Sequence, residues 1–383
     1  MKKRAKGLYE KLISEENLRN AIDEVNRTHH WKAGHKPNRC TAWVEETKET
    51  RTRQLRDIIE GGFVPGPGRT MEKYDSSARK VRVIHEPAQW PDQYVHHALV
   101  QVLQPVMMRG MDHWCCGSIR GRGTHYAKRA IEGWMASDKR GTRYCLCADI
   151  RHFYDSLRPG VVMDRMRRLV KDRRLLDLVE RVTRDGIRIG AYPSQWFANT
   201  TLQPLDALIR QSGLCRHYVR YMDNLTVFGS SKRGLHRLRR LISEWLSEHG
   251  LELKGDWQVF PAAYSHGAGP GRMPDAVGYR YGRGYTLPRK HNLIRIKRAI
   301  ARYRKKRGGG RSPRKMAHGL LSRLGQIRHC NNCRLYKRLY GGERIERELK
   351  KIIERKGVLT WSTYLAQREM LKLCGPKATA SPA

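Results

Sequence analysis

The apolar positions change period several times along this chain, and each change marks an element. In Arg79–Pro87 (RKVRVIHEP) basic and apolar residues alternate, which predicts a half-exposed strand. Gln93–Met107 has helical periodicity. Tyr144–Ala148 is a short apolar β-run that ends on Asp149. HYVRY and LTVFG, separated by Met222-Asp223-Asn224, predict a hairpin with Asp223 in its turn. Pro193–Gln211 opens with Pro-Ser and continues as a core-facing helix. His236–Leu253 is an amphipathic helix that should stop at Gly250. Strands alternating with helices imply an α+β or α/β layer.

Both ends have a different character. Residues 1–70 read as polar helices and finish in the turn-rich Gly61–Arg69 (GGFVPGPGR). Residues 291–371 read as a basic helical module that grips a duplex backbone, broken at Gly308-Gly309-Gly310. The tail, 372–383, has the composition of a disordered end. No internal repeat is visible.

Charge narrows the function. Among 383 residues there are 77 Lys+Arg and 36 Asp+Glu, a formal net charge of +41. Such a chain repels itself unless a polyanion neutralises it, and nucleic acid does so with counterion release. Charge alone fits a structural RNA-binding protein equally well. No apolar stretch approaches the roughly 20 residues that span a bilayer, and none follows the basic N-terminus as in a secretory signal. Nine scattered Cys, an odd number, fit reduced thiols in a cytoplasm rather than a disulfide framework.

Asp149 and Asp223 carry the candidate chemistry. Two carboxylates delivered by separate strands can share divalent cations, which bind a triphosphate and lower the pKa of a primer hydroxyl. With this charge, that pattern predicts a nucleic-acid polymerase. Asp155, six residues after Asp149, reads as structural. Cys330 and Cys333, beside His329, have the spacing of half a zinc site. No second pair completes it, and His318 is the nearest extra ligand, so an incidental thiol pair is the preferred reading. Cys115-Cys116 and Cys145/Cys147 fit core positions flanking strands.

Taken in order, the segments over roughly residues 75–300 resemble the reverse transcriptases of bacteria and phages, most closely those of diversity-generating retroelements. KVRVIHEP resembles the fingers strand whose Lys80 and Arg82 would reach the incoming triphosphate. Gly117–Ala127 (GSIRGRGTHYA) resembles the basic turn after the fingers helices. CADIRHFYDS and RYMDN resemble the two catalytic palm motifs. Ala276–Arg298 resembles the primer-grip strands that lead into the thumb. In Ile187–Asn199 most relatives have Gln-Gly followed by Ser-Pro. This chain has Ile189-Gly190 and Ser194-Gln195, the diversity-generating pattern.

The resemblance implies an α+β right-hand polymerase. Residues 1–70 would be an N-terminal helical extension, 71–145 the fingers and start of the palm, 146–290 the palm, and 291–371 the thumb. Asp149, Asp223 and Asn224 would be catalytic. Asp149, Asp223 and the Ile150 carbonyl would hold two Mg²⁺, with Mn²⁺ as a substitute. Lys80, Arg82, Tyr154, Ile189 and Gly190 would contact the dNTP, with Tyr154 excluding a ribose 2′-hydroxyl. Arg120, Arg122, Gln195, Tyr279, Arg280, Arg289 and Lys290 would contact template and primer.

Asn224 is a departure, because the family usually has a second Asp there. The implied activity is RNA-directed DNA synthesis on a template-repeat RNA, error-prone opposite adenine. The partners would be template RNA, the RNA/cDNA duplex and dNTPs, with a small basic accessory variability protein, in a bacterial or phage-encoded cytoplasmic setting. The alternatives are a faithful intron- or retron-type enzyme and a non-catalytic RNA-binding relative.

Overall fold

A computed structural model of the protein describes residues 3–29, 38–75, 80–262, 271–306, 313–330, 337 and 343–354. Among the described residues, nine strands form three separate sheets. β1 (Arg69–Asp75) and β2 (Lys80–Glu86) make an antiparallel pair. The central sheet has the order β4-β5-β3-β6, built from β3 (Tyr144–Asp149), β4 (His217–Tyr221), β5 (Asn224–Gly229) and β6 (Gln258–Pro261). β7 (Asp275–Ala276), β8 (Tyr279–Gly282) and β9 (Tyr285–Pro288) form the third.

β3 lies between β5 and β6, antiparallel to both. It is short and apolar because it is buried in the middle of its sheet. Helix Lys232–Glu248 packs across β3, β5 and β6 through Leu235, Leu238, Ile242, Trp245 and Leu246. Its first turn is capped by the Ser231 hydroxyl, which accepts from the Gly234 N–H at 3.1 Å. It ends where Gly250 takes φ +70°, the left-handed conformation that stops a helix without strain.

Helix Tyr94–Met108 is buried almost all round. The N-terminal helix Glu15–His29 packs on it, so Leu18, Ile22 and Val25 share one core with Leu99, Leu146 and Val227. The C-terminal helices Lys290–Lys306, Pro313–Arg328 and Glu343–Glu354 have a core of their own, including Ile296, Ile300, Leu320, Leu324 and Leu349. Gly308–Gly310 and the expected tail at 372–383 lie outside the described residues.

Three local expectations are corrected. Pro193–Gln211 is two helices, Tyr192–Thr201 and Gln203–Gln211, because Pro204 cannot continue the first and starts the second. In β2 the alternation runs opposite to intuition: Val81 and Val83 are 54% and 57% exposed, whereas Arg82 is half-buried. The hairpin turn is only Met222-Asp223, and Asn224 already begins β5 opposite Tyr221. Among the described residues no helix is long and apolar enough to cross a membrane.

Candidate active site

The register of the central sheet brings the two carboxylates together. β3 and β5 pair so that Asp149 lies opposite Asn224. One residue on, the Ile150 N–H donates to the Asp223 carbonyl at 3.1 Å. Asp149 and Asp223 therefore sit at the same end of neighbouring strands. The Asn224 side-chain amide donates to Asp223 Oδ1 at 3.1 Å.

A buried network holds the turn that carries Asp223. Arg220, on β4, is fully buried. Its guanidinium grips Asp206 at both carboxylate oxygens, Nε to Oδ1 at 2.8 Å and Nη2 to Oδ2 at 2.7 Å. It also donates to Asn199 Oδ1 at 2.8 Å and to the Met222 carbonyl at 3.1 Å. Fork-shaped pairing of this kind fixes geometry as well as charge. Removing one partner would strand a buried charge, at a cost of about 3–5 kcal/mol. Asn199 in turn donates to the Gly117 carbonyl at 2.8 Å. Met222 takes φ +56°, unusual for a residue with a side chain, and the network over-determines it.

Tyr154 sits on the short helix Phe153–Ser156 just after β3. Burial pushes its phenol up; the Asp223 carboxylate adds to the shift and the Arg82 guanidinium opposes it. Both charges therefore lie close enough to act on the Tyr154 phenol. β2 supplies Arg82 and, three residues on, His85, whose N–H donates to the Ile189 carbonyl at 2.7 Å. Gly190 follows at φ +113°, and a Cβ there would lie 2.1 Å from the His85 carbonyl oxygen. Only glycine permits that approach, so Ile189 is clamped to the strand bearing Arg82.

Other expected positions are dispersed. Arg120, Gln195 and Lys290 are exposed, and Arg280 is half-buried on β8. The Lys80 backbone belongs to β2, but its side chain lies outside the described residues. Tyr279 does not present a ring to primer: it is 3% exposed, packed in a cluster with Cys116, Ile131 and Phe260, with the Lys128 ammonium 5.6 Å from its ring centre. Arg122 is tied to its own chain through the Asp112 carbonyl at 2.9 Å, and Arg289 pairs with Asp275. Asp155, expected to be structural, is exposed.

Cys115, Cys116 and Cys145 are buried as expected, whereas Cys147 is only partly buried, because it lies two residues farther along β3, at the margin of the cluster that buries Cys145. Cys333 lies outside the described residues. Cys330 is buried, which pushes its thiol up to about 11 and keeps it protonated near neutral pH.

Two contributors escaped the sequence reading. Lys254 donates its N–H to the Asp149 carbonyl at 2.8 Å. Its ammonium pairs with Asp256, which with the nearby Asp149 charge raises its pKa. The second is the Arg220–Asp206–Asn199 network, whose only sequence signal is an Arg inside an apolar β-run.

The oxygen donors of Asp149, Asp223 and Asn224 suit a hard divalent cation such as Mg²⁺ or Mn²⁺. Among the described residues no group of three or more His, Cys, Asp or Glu could hold a metal, in keeping with Asn224 where a third carboxylate is usual.

Residues 72–256 match the family described as Reverse transcriptase (RNA-dependent DNA polymerase). No curated protein matches the sequence. Similar solved structures include a telomerase from Candida albicans in complex with a TWJ fragment of telomeric RNA, at 11% identity and TM-score 0.43. That match covers 88% of this chain and 67% of the other. Another is apo telomerase from Candida tropicalis, truncated from its C-terminal domain, at 13% identity and TM-score 0.40, covering 63% of this chain and 58% of that one. Likenesses at these scores assign neither activity nor partner. The family match runs from within β1 to Asp256, and includes β2, the strands that carry Asp149 and Asp223, the Ile189-Gly190 clamp and Lys254. Residues 72–256 are a reverse transcriptase domain with the right-hand polymerase fold, and the protein is an RNA-directed DNA polymerase, a nucleotidyltransferase.

Proposed function

We propose that this polymerase is the mutagenic enzyme of a diversity-generating retroelement, copying a template-repeat RNA into cDNA with errors opposite adenine. The observation that carries this is Ile189. Its backbone is clamped to β2 by the His85 N–H, and Gly190 permits the contact. The half-buried Ile189 side chain offers no hydrogen bond where most relatives have Gln. A site built to hydrogen-bond its substrate discriminates strongly, and an apolar one does not.

Asp149 and Asp223, with the Ile150 carbonyl, would hold two Mg²⁺, and Mn²⁺ would substitute. Bound there, the cations would acidify the primer 3′-hydroxyl and neutralise the triphosphate and the departing pyrophosphate. Arg82, with Lys80 two residues before it, draws the triphosphate toward the carboxylates. Tyr154 stands beside Asp223 and blocks a 2′-hydroxyl, favouring dNTPs. Arg120, Gln195, Arg280 and Lys290 steer template and primer. A small basic accessory protein would join through the RNA, since two cationic proteins need a shared polyanion.

The test is primer extension on the element's own RNA, with the accessory protein present and an Asp149→Ala control, followed by sequencing of the cDNA. Asp149-dependent cDNA with errors concentrated opposite adenine is expected, and Ile189→Gln should lower that error rate several-fold. Accurate cDNA from the unaltered protein would replace this reading with a faithful intron- or retron-type enzyme.

A further inference from the structure

A basic concavity lies outside the candidate active site, and neither Asp149 nor Asp223 lines it. Helix Thr124–Ser137 presents His125, Lys128 and Arg129, at i, i+3 and i+4, on one face. The end of helix Pro313–Arg328 brings Arg328, His329 and Cys330 against it. These six residues line an open concavity of about 280 Å³. We propose that it binds a phosphate group, carried by a phosphodiester of the template–product duplex.

The charge balance points to an anion. Lys128 is paired with Glu132 at 2.6 Å, and Arg328 with Glu346 at 2.7 Å, but neither glutamate lines the cavity. Among the described residues nothing pairs with Arg129. The His125 and His329 rings lie 3.7 Å apart, centre to centre. His125 Nδ1 is buried and has no hydrogen-bond partner. With Lys128 and Arg328 already paired, the Arg129 guanidinium is left without a carboxylate partner among the described residues, beside two adjoining rings that can donate N–H groups. A tetrahedral phosphate accepts hydrogen bonds from several directions, as donors from separate elements require.

Position adds a consequence. Arg328 ends a helix whose core is separate from the cluster beneath helix Thr124–Ser137, and Cys330, two residues on, packs into that cluster. A phosphate held by both would fasten the C-terminal helical module against the palm while nucleic acid is bound. Naming the duplex as the source rests on the polymerase reading; recognition of phosphate does not.

The experiment is the salt dependence of full-length protein binding to a primed RNA–DNA duplex, compared with Arg129→Ala and, separately, His329→Gln. Losing one phosphate contact lowers the slope of log K against log salt by about 0.7–0.9. A reduced slope in Arg129→Ala, restored by Arg129→Lys, is the expected result. In parallel, thermal unfolding is followed with inorganic phosphate or diphosphate against chloride at matched ionic strength. An unchanged slope with phosphate-specific stabilisation lost in Arg129→Ala would overturn the duplex as source and leave free phosphate as the ligand. No change in either measurement overturns the site.

Primer extension by the same preparations separates this from the function above. A changed slope without Asp149-dependent synthesis keeps the pocket and removes the mutagenic enzyme. Normal synthesis with neither effect does the reverse.

Discussion

Gly117 lies directly under Met222: a Cβ on Gly117 would fall 2.6 Å from both the Met222 backbone nitrogen and its sulfur. The residue that opens the basic turn therefore supports the turn that aims Asp223. Gly117→Ala should push the catalytic hairpin off Asp149. Overpacking of this kind costs about 1–3 kcal/mol. The expected outcome is a modest fall in Tm with a loss of at least about tenfold in kcat, since small misplacements of reacting groups are costly. A variant that lost stability but kept full kcat would refute the positioning role.

Tyr154 is partly buried just after β3, and its phenol feels both the Asp223 carboxylate and the Arg82 guanidinium. Tyr154→Ala should open room for a 2′-hydroxyl. Single-nucleotide incorporation with dNTP and rNTP should show their kcat/KM ratio falling by about tenfold or more, on the scale of a few kcal/mol for a lost steric block. An unchanged ratio would move Tyr154 to a purely structural role.

Asn224 donates to Asp223 and adds no charge. Asn224→Asp supplies a further carboxylate for cation binding. Primer extension across a Mg²⁺ titration should reach half-maximal rate at lower Mg²⁺, with activity equal or higher. A large loss would mean that a second negative charge cannot be accommodated beside Asp223.

His96 is buried on helix Tyr94–Met108, and neither ring nitrogen has a hydrogen-bond partner within the protein. Burial, with His97 and His85 adding to it, lowers its pKa from 6.5 to about 3. In that window the unfolded chain binds the proton and the folded protein does not. Its contribution is therefore complete above about pH 6.5 and is lost as pH falls toward 3, by up to about 1.4 kcal/mol per pH unit. Urea unfolding of His96→Leu should show a flatter stability profile over this range and equal or greater stability at pH 7. An identical acid slope in both proteins would place the titrating group elsewhere.

Much of the catalytic centre was readable locally. The runs ending at Asp149 and Asp223 are short, apolar and bounded, so period and length identify them. The helix stop at Gly250 is a property of glycine in a few residues. Ile189-Gly190 stood out by resemblance, although the sequence could not reveal that Gly190 has no room for a Cβ against the His85 carbonyl.

Basic residues were harder to read, because a sequence counts charges without showing what faces them. Arg82, Arg122, Arg220 and Arg289 look equivalent in a chain of net charge +41. Arg82 lies near enough to Tyr154 to act on its phenol, Arg122 holds the Asp112 carbonyl, Arg220 is sealed inside with Asp206, and Arg289 pairs with Asp275. Tyr279, expected from the resemblance to contact template and primer, is core.

The sequence by itself determined the strands, the helix stops and the acidic pair, because these depend on neighbours a few residues apart. The tertiary structure alone decided that Asp149 faces Asn224, that Lys254 arrives beside Asp149, and that His125 meets His329. Each of those depends on strand register or on packing between segments more than a hundred residues apart, where no local periodicity carries the information.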